Sequence, residues 1–185
     1  MRQSPFLRRA GFSLLELVTV MAIALLLGAL AFPQFNRYWQ SYRLDSAAQT
    51  LTSNLELARY SAISKDVNVV VAFYPAALYY ESFEDKNGNG TRDTGEVLLG
   101  SFPLPGKIEF KGAGLLGPPS SPSGPVTDPI TFSNDRVVFN SQGKLNSGLG
   151  SIYLQNGMND AAAISYNITG RMKTYRWDKS GGSWK

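Results

Sequence analysis

FSLLELVTVMAIALLLGALAF, residues 12–32, is a run of 21 residues with a single charge, Glu16. At about 1.5 Å per residue it makes a helix of roughly 31 Å, enough to cross a bilayer core. Arg2, Arg8 and Arg9 precede it, with no acidic residue among them and no cation inside the run. That asymmetry places residues 1–11 on the cytoplasmic side of a membrane and the rest of the chain across it.

Three readings compete for this segment. A secretory signal peptide has the same basic and apolar regions, and Gly28-Ala29-Leu30-Ala31 offers small residues for cleavage. The helical pattern nevertheless continues past that point. A plain membrane anchor leaves Glu16 unexplained, because a carboxylate in hydrocarbon is costly and usually functional. The third reading accounts for most. Gly11-Phe12-Ser13-Leu14-Leu15-Glu16 closely resembles the prepilin peptidase site of type IV pilins and type II secretion pseudopilins. Pro33 also falls where that family commonly carries a proline.

The resemblance implies cleavage between Gly11 and Phe12, N-methylation of the new Phe12 amine, and assembly into a filament with other pilins or pseudopilins. It implies a single-pass inner-membrane subunit with its head in the periplasm, and prepilin peptidase as a partner. The physics agrees. A charged amine buried among packed apolar helices costs several kcal/mol when unpaired. Glu16 of a neighbouring subunit would offset that cost and fix the axial register. A glycine before the scissile bond spares the peptidase a side chain.

Pro33 lacks an N–H and is expected to kink or locally unwind the helix. Beyond it, Leu44, Ala48, Leu51, Leu55, Ala58 and Ala62 recur at spacings of four and three. They form one apolar stripe for packing on a sheet, opposite Gln49, Ser53, Asn54 and Arg59. After Lys65 the pattern turns to strands: Val67–Phe73, Leu78–Phe83, Val97–Phe102, Lys107–Phe110, Arg136–Phe139, Ser151–Leu154, Ala163–Asn167 and Lys173–Trp177. GPPSSPSGP, residues 117–125, is a loop of low complexity. The expected fold is α+β: a long N-terminal helix, half membrane-embedded and half amphipathic, packed on an antiparallel β-sheet head. The expected organisation is a leader over 1–11, a membrane or filament-core helix over 12–38, and a head over 39–185. In that head the helix runs to about residue 65, and a basic tail occupies 170–185. This order is similar to the FimT/GspH-like branch of minor pilins. An acidic Asn/Gly turn, the Phe139-Asn140-Ser141-Gln142-Gly143 element and a late strand ending in Gly170-Arg171 carry the likeness.

The acidic turn, Asp85 to Glu96, fits the spacing of a calcium loop. Asp85, Asn87 and Asn89 would supply alternating oxygens, Thr91 its carbonyl, Asp93 a water-mediated contact and Glu96 both carboxylate oxygens, with Gly90 at the sharp turn. Strands flank it rather than helices, and two of its ligands are neutral amides. A plain hairpin connection chosen for Asn-Gly chemistry explains the same residues. Both readings stand at this point, with calcium the one cofactor in question.

Cations gather at the other end: Arg171, Lys173, Arg176, Lys179 and Lys185 lie beyond Ser165 with one acid, Asp178. Gly170-Arg171-Met172-Lys173 resembles the Gly-Arg-x-Arg element with which FimT-type minor pilins contact DNA. Here the last member is lysine, which keeps the charge and loses the bidentate fork. Arg171, Lys173, Arg176 and Lys179, interleaved with Tyr175, Trp177 and Trp184, suit phosphates and exposed bases. They suit equally a final strand with solvated charges and packed aromatics. A receptor for DNA uptake would present this tail; a purely structural subunit would pack it.

Composition narrows the remaining classes. The chain has neither histidine nor cysteine, which removes disulfides, cysteine-ligated metals and the commonest general base. No nucleophile–base constellation or phosphate loop is visible, so an enzyme is not expected. Loss of the leader arginines would leave 15 basic and 14 acidic side chains, a nearly neutral mature protein.

Overall fold

The computed structural model describes residues 12–112, 114–118, 124–166 and 171–185. The chain divides into two compact units, residues 1–39 and 40–185. One helix, α1 (Leu14–Lys65), contributes to both.

In the first unit every described residue is exposed. Ser13 caps the helix, its Oγ accepting the Glu16 N–H at 3.2 Å. Thr19 donates to the Leu15 carbonyl, and Phe35 stacks on Trp39. By length and composition the helix includes a segment able to cross a membrane. It runs through Pro33 without an unwound turn, so of the two outcomes expected there, a kink or local unwinding, the second does not occur. The missing proline N–H forfeits one ladder bond, and the Leu- and Ala-rich flanks favour helix on either side.

In the second unit α1 buries Leu44, Ala48, Leu51, Leu55, Ala58 and Ala62, the stripe read from the spacing, with Gln40 and Ala47 buried beside it. Eight of the nine strands follow the expected order: β1 (Asn68–Tyr74), β2 (Tyr79–Asp85), β3 (Leu98–Pro103), β4 (Ile108–Phe110), β5 (Arg136–Phe139), β6 (Ser151–Asn156), β7 (Ala161–Tyr166) and β8 (Met172–Asp178). The ninth, β9 (Ser183–Trp184), was not expected. The strands form two antiparallel sheets rather than one, ordered β3-β2-β1-β5 and β4-β6-β7-β8-β9.

Both sheets and α1 share one core. Val69, Val71, Phe73, Val137 and Phe139 come from the first sheet, and Ile108, Ile152, Leu154, Ala162 and Ile164 from the second. Each fully buried Leu on α1 contributes roughly 1.5–3 kcal/mol of transfer free energy. Alternation along β1 sends Val70 and Ala72 to the opposite face, where they pack with Phe83 and Val138. The outer face of the second sheet holds Tyr153, Ala163 and Tyr175 with Val126.

Polar contacts tie α1 to the strands and turns. Asn54 donates to the Tyr80 hydroxyl at 2.7 Å, Arg59 to the Gly143 carbonyl at 2.8 Å and Lys65 to Glu84 at 2.7 Å. The Phe139–Gly143 element now has a physical account. Phe139 is fully buried, Asn140 Oδ1 accepts the N–H groups of Gln142 and Lys144, and Gly143 takes φ 71° close against Ile63 of α1.

Candidate functional sites on the helix, the acidic turn and the tail

Gly11 lies outside the described residues. Phe12 is 82% exposed and begins the described chain one residue before the Ser13 cap. Glu16 is exposed one turn into α1. It is the only charged side chain between Phe12 and Gln34.

The acidic turn closes on its own hydrogen bonds. Asp85 is 2% exposed. Its two carboxylate oxygens accept three backbone N–H groups, those of Gly88, Asn89 and Gly90, at 2.8, 3.2 and 2.9 Å. Asn87 Oδ1 accepts the Asn89 N–H and Asn89 Oδ1 accepts the Thr91 N–H and hydroxyl. Those bonds orient both amides, so their NH₂ groups donate to Asp93 Oδ2 at 2.7 and 2.6 Å. They hold the Asp93 carboxyl below its ordinary value. Glu96 accepts the N–H groups of Lys86 and Asp93.

A cation needs those oxygens turned inward together. Among the described residues no three acidic side chains are grouped to hold a metal, and the two amides present nitrogen to Asp93. As arranged, the carboxylate and amide oxygens are taken up by hydrogen bonds within the loop. The residues the spacing singled out instead make the hairpin connection self-sufficient.

The tail is a pair of strands. Trp177 lies opposite Trp184 across β8 and β9, with their rings edge to face. The Trp184 indole donates to the Leu116 carbonyl and its ring meets Tyr153. Its cations do not act as one group. Period-two alternation sends Thr174 and Arg176 to the α1 side, where Thr174 meets Thr52 and Arg176 pairs with Asp45. Lys179 pairs with Asp160 at 2.8 Å and donates to the Met158 carbonyl. Lys185 pairs with Asp178. Arg171 and Lys173 stay exposed on the other face, the Lys173 ammonium 4.9 Å above the Tyr175 ring. Gly170 lies outside the described residues. Of the four cations nominated for DNA, the structure keeps Arg171 and Lys173 together and separates Arg176 and Lys179 from them.

A further charged residue escaped the sequence reading. Arg136 opens β5 and lines a cleft with Asn68, Asp85, Asn134 and Asn146. These come from separate segments with no shared spacing, so no motif announced them.

The family model for the type II transport protein GspH matches residues 47–172. That match starts inside α1 and ends at the first residue of β8. The chain belongs to the GspH family. It is a pseudopilin-type minor pilin subunit, and its family is one of structural pilins rather than of enzymes. Over 162 residues this GspH-family chain is 28% identical to the pilin-like protein PilA1 of Thermus thermophilus, covering 74% of this chain and 96% of that protein. Two structures of the minor pseudopilin EpsH from the type II secretion system of Vibrio cholerae are also similar. One is 11% identical with a TM-score of 0.47, covering 71% of this chain and 95% of EpsH. The other is 13% identical with a TM-score of 0.48, covering 73% and 94%. The family and the exposed apolar helix together fit a single-pass, membrane-anchored subunit that assembles with other pilins or pseudopilins.

Proposed function

We propose that this GspH-family subunit is made as an inner-membrane precursor and cleaved by prepilin peptidase between Gly11 and Phe12. Residues 1–11 are the leader, 12–38 the membrane and filament-core helix, and 39–185 the periplasmic head. Methylation of the Phe12 amine follows, and the mature chain joins a pseudopilus of a type II secretion system. The family description supports the secretion assignment over a type IV pilus.

The observation that carries this reading is the uncovered apolar half of α1 with its lone carboxylate. Nothing within the described chain covers residues 12–39, so the membrane and then neighbouring helices must. Glu16 pairs with the Phe12 amine of the next subunit, which removes two uncompensated charges from the core at once. In cells, Glu16→Ala should leave the precursor cleaved and the head folded, yet remove the subunit from sheared filament fractions. N-terminal sequencing should begin at a methylated Phe12. A mature chain starting at Met1 or after Ala31 refutes the processing, and normal incorporation of Glu16→Ala refutes the pairing.

The alternative role, a DNA receptor for uptake, rests on Arg171 and Lys173. The ion pairs that hold Arg176, Lys179 and Lys185 weaken it, since each must be exchanged or shared before that cation neutralises a phosphate.

A further inference from the structure

The acidic turn, the start of β5 and residues 146–147 enclose a polar cleft of about 240 Å³. It lies on the face of the first sheet turned away from α1. Register shows why: Asn68 pairs with Asp85, Ala72 with Arg136 and Val70 with Val138, and this set alternates with the core-facing Val69, Val71 and Val137. Sheet pairing thus brings Asn68, Asp85, Arg136 and Val138 to one wall.

The charges in the cleft are unequal in availability. Asp85 is buried and spends its carboxylate on three backbone N–H groups. Among the described residues Arg136 is half-buried and takes part in none of the ion pairs, while lying close enough to Asp135 and Tyr74 to favour their charged forms. It lies along Gly90, where a Cβ would sit 3.3 Å from Nη1. Asn68, Asn134 and Asn146 line the same cleft and add amide groups around it.

We propose that this cleft binds a carboxylate. A planar guanidinium outside those ion pairs, flanked by amides and shielded on one side, matches the two-oxygen fork of a carboxylate. The cleft falls below the roughly 300 Å³ at which drug-sized sites begin, so the ligand is about as large as one amino-acid residue. Two sources share that chemistry: a free small acid, and an acidic side chain presented by a neighbouring protein.

Titration of the full chain in detergent micelles tests this, with N-acetylaspartate N-methylamide as the probe and its asparagine counterpart as the neutral isostere. Saturable binding of the acid, at least about tenfold tighter than the amide, is expected. Arg136→Gln should lose that preference, and Arg136→Lys should retain part of it as charge without the fork. Asn134 has φ 57°, so Asn134→Gly removes its amide while preserving the left-handed backbone. It should weaken binding several-fold.

If Arg136→Gln does not fold, competition on the unaltered chain decides. Acetate should displace the probe, and glucose should not. Acetate binding as tightly as the peptide identifies a free acid as the ligand, and much weaker acetate identifies a presented side chain. Equal affinity for acid and amide, no saturation, or an affinity untouched by both Arg136→Gln and Asn134→Gly overturns the proposal.

Discussion

Arg176 on β8 pairs with Asp45 on α1, joining residues 131 apart in the chain. The pair fastens the last long strand to the helix that opens the head. It also takes from the tail a cation that the sequence offered to DNA. Both side chains are more than a third exposed, so the pair contributes at most about 1 kcal/mol. Its importance is therefore one of placement: it marks β8 as an element packed on α1.

The tail prediction follows directly. Arg176→Ala and Lys179→Ala should each lower the melting temperature slightly and leave retention of duplex DNA unchanged. Whatever low-salt retention exists should depend on Arg171 and Lys173. In a salt titration, a drop in affinity for Arg176→Ala with a slope shallower by about one would reinstate it as a phosphate contact.

Gly143→Ala should be among the most damaging small changes in the head. The added Cβ would lie 2.6 Å from Ile63 Cδ1, at a φ of 71° that disfavours any side chain. A loss of about 1–3 kcal/mol is expected in chemical denaturation. Ile63→Ala should recover the clash component and leave the backbone component, so the double variant should fall between the two.

The acidic turn should behave as a structural connection. Asp85→Ala strands three N–H donors in a part-buried turn and should cost about 1–3 kcal/mol whether or not calcium is present. Millimolar calcium should leave the melting temperature of the unaltered chain in place. A calcium-dependent rise abolished by Asp85→Ala or Glu96→Ala would show that the loop rearranges around the ion.

Acid should loosen the junction between α1 and β2. Glu84 is 8% exposed at the side chain, 2.7 Å from the Lys65 ammonium and 3.6 Å from that of Lys86. The hydrogen bond from Lys65 holds its carboxyl below the usual range, against the opposing effect of burial. A depressed folded-state value means that the stabilisation is complete above the unfolded pKa of about 4.3 and fades as pH falls through the lower folded value. Melting curves for Glu84→Gln should therefore be less stable at neutral pH and less sensitive to acid below about pH 4.5. Asp160 and Asp178 are also held low, the first against burial by Lys179 and the second by Lys185, so some acid sensitivity should remain.

Much of this architecture can be read from local chemistry. The apolar run at residues 12–32 and the four-three stripe from Leu44 to Ala62 are one-dimensional patterns, and helical period alone assigns them to separate surroundings. The strand order was legible because β-branched runs alternate with Gly, Pro and Asn. The division into two sheets was not, because pairing depends on which distant strands meet, as when β1 takes β5 beside it across more than sixty residues. The tail shows the same limit. Arg176 and Lys173 look alike in sequence, and only the choice of which face of β8 meets α1 sends one to Asp45 and the other outward. The acidic turn gives the sharpest case: the spacing places oxygens at regular intervals, while the folded backbone decides whether an N–H or an ion satisfies them. Arg136 had no signal at all. Its cleft exists only where the register of β1 with β2 and β5 brings four separate segments to one face.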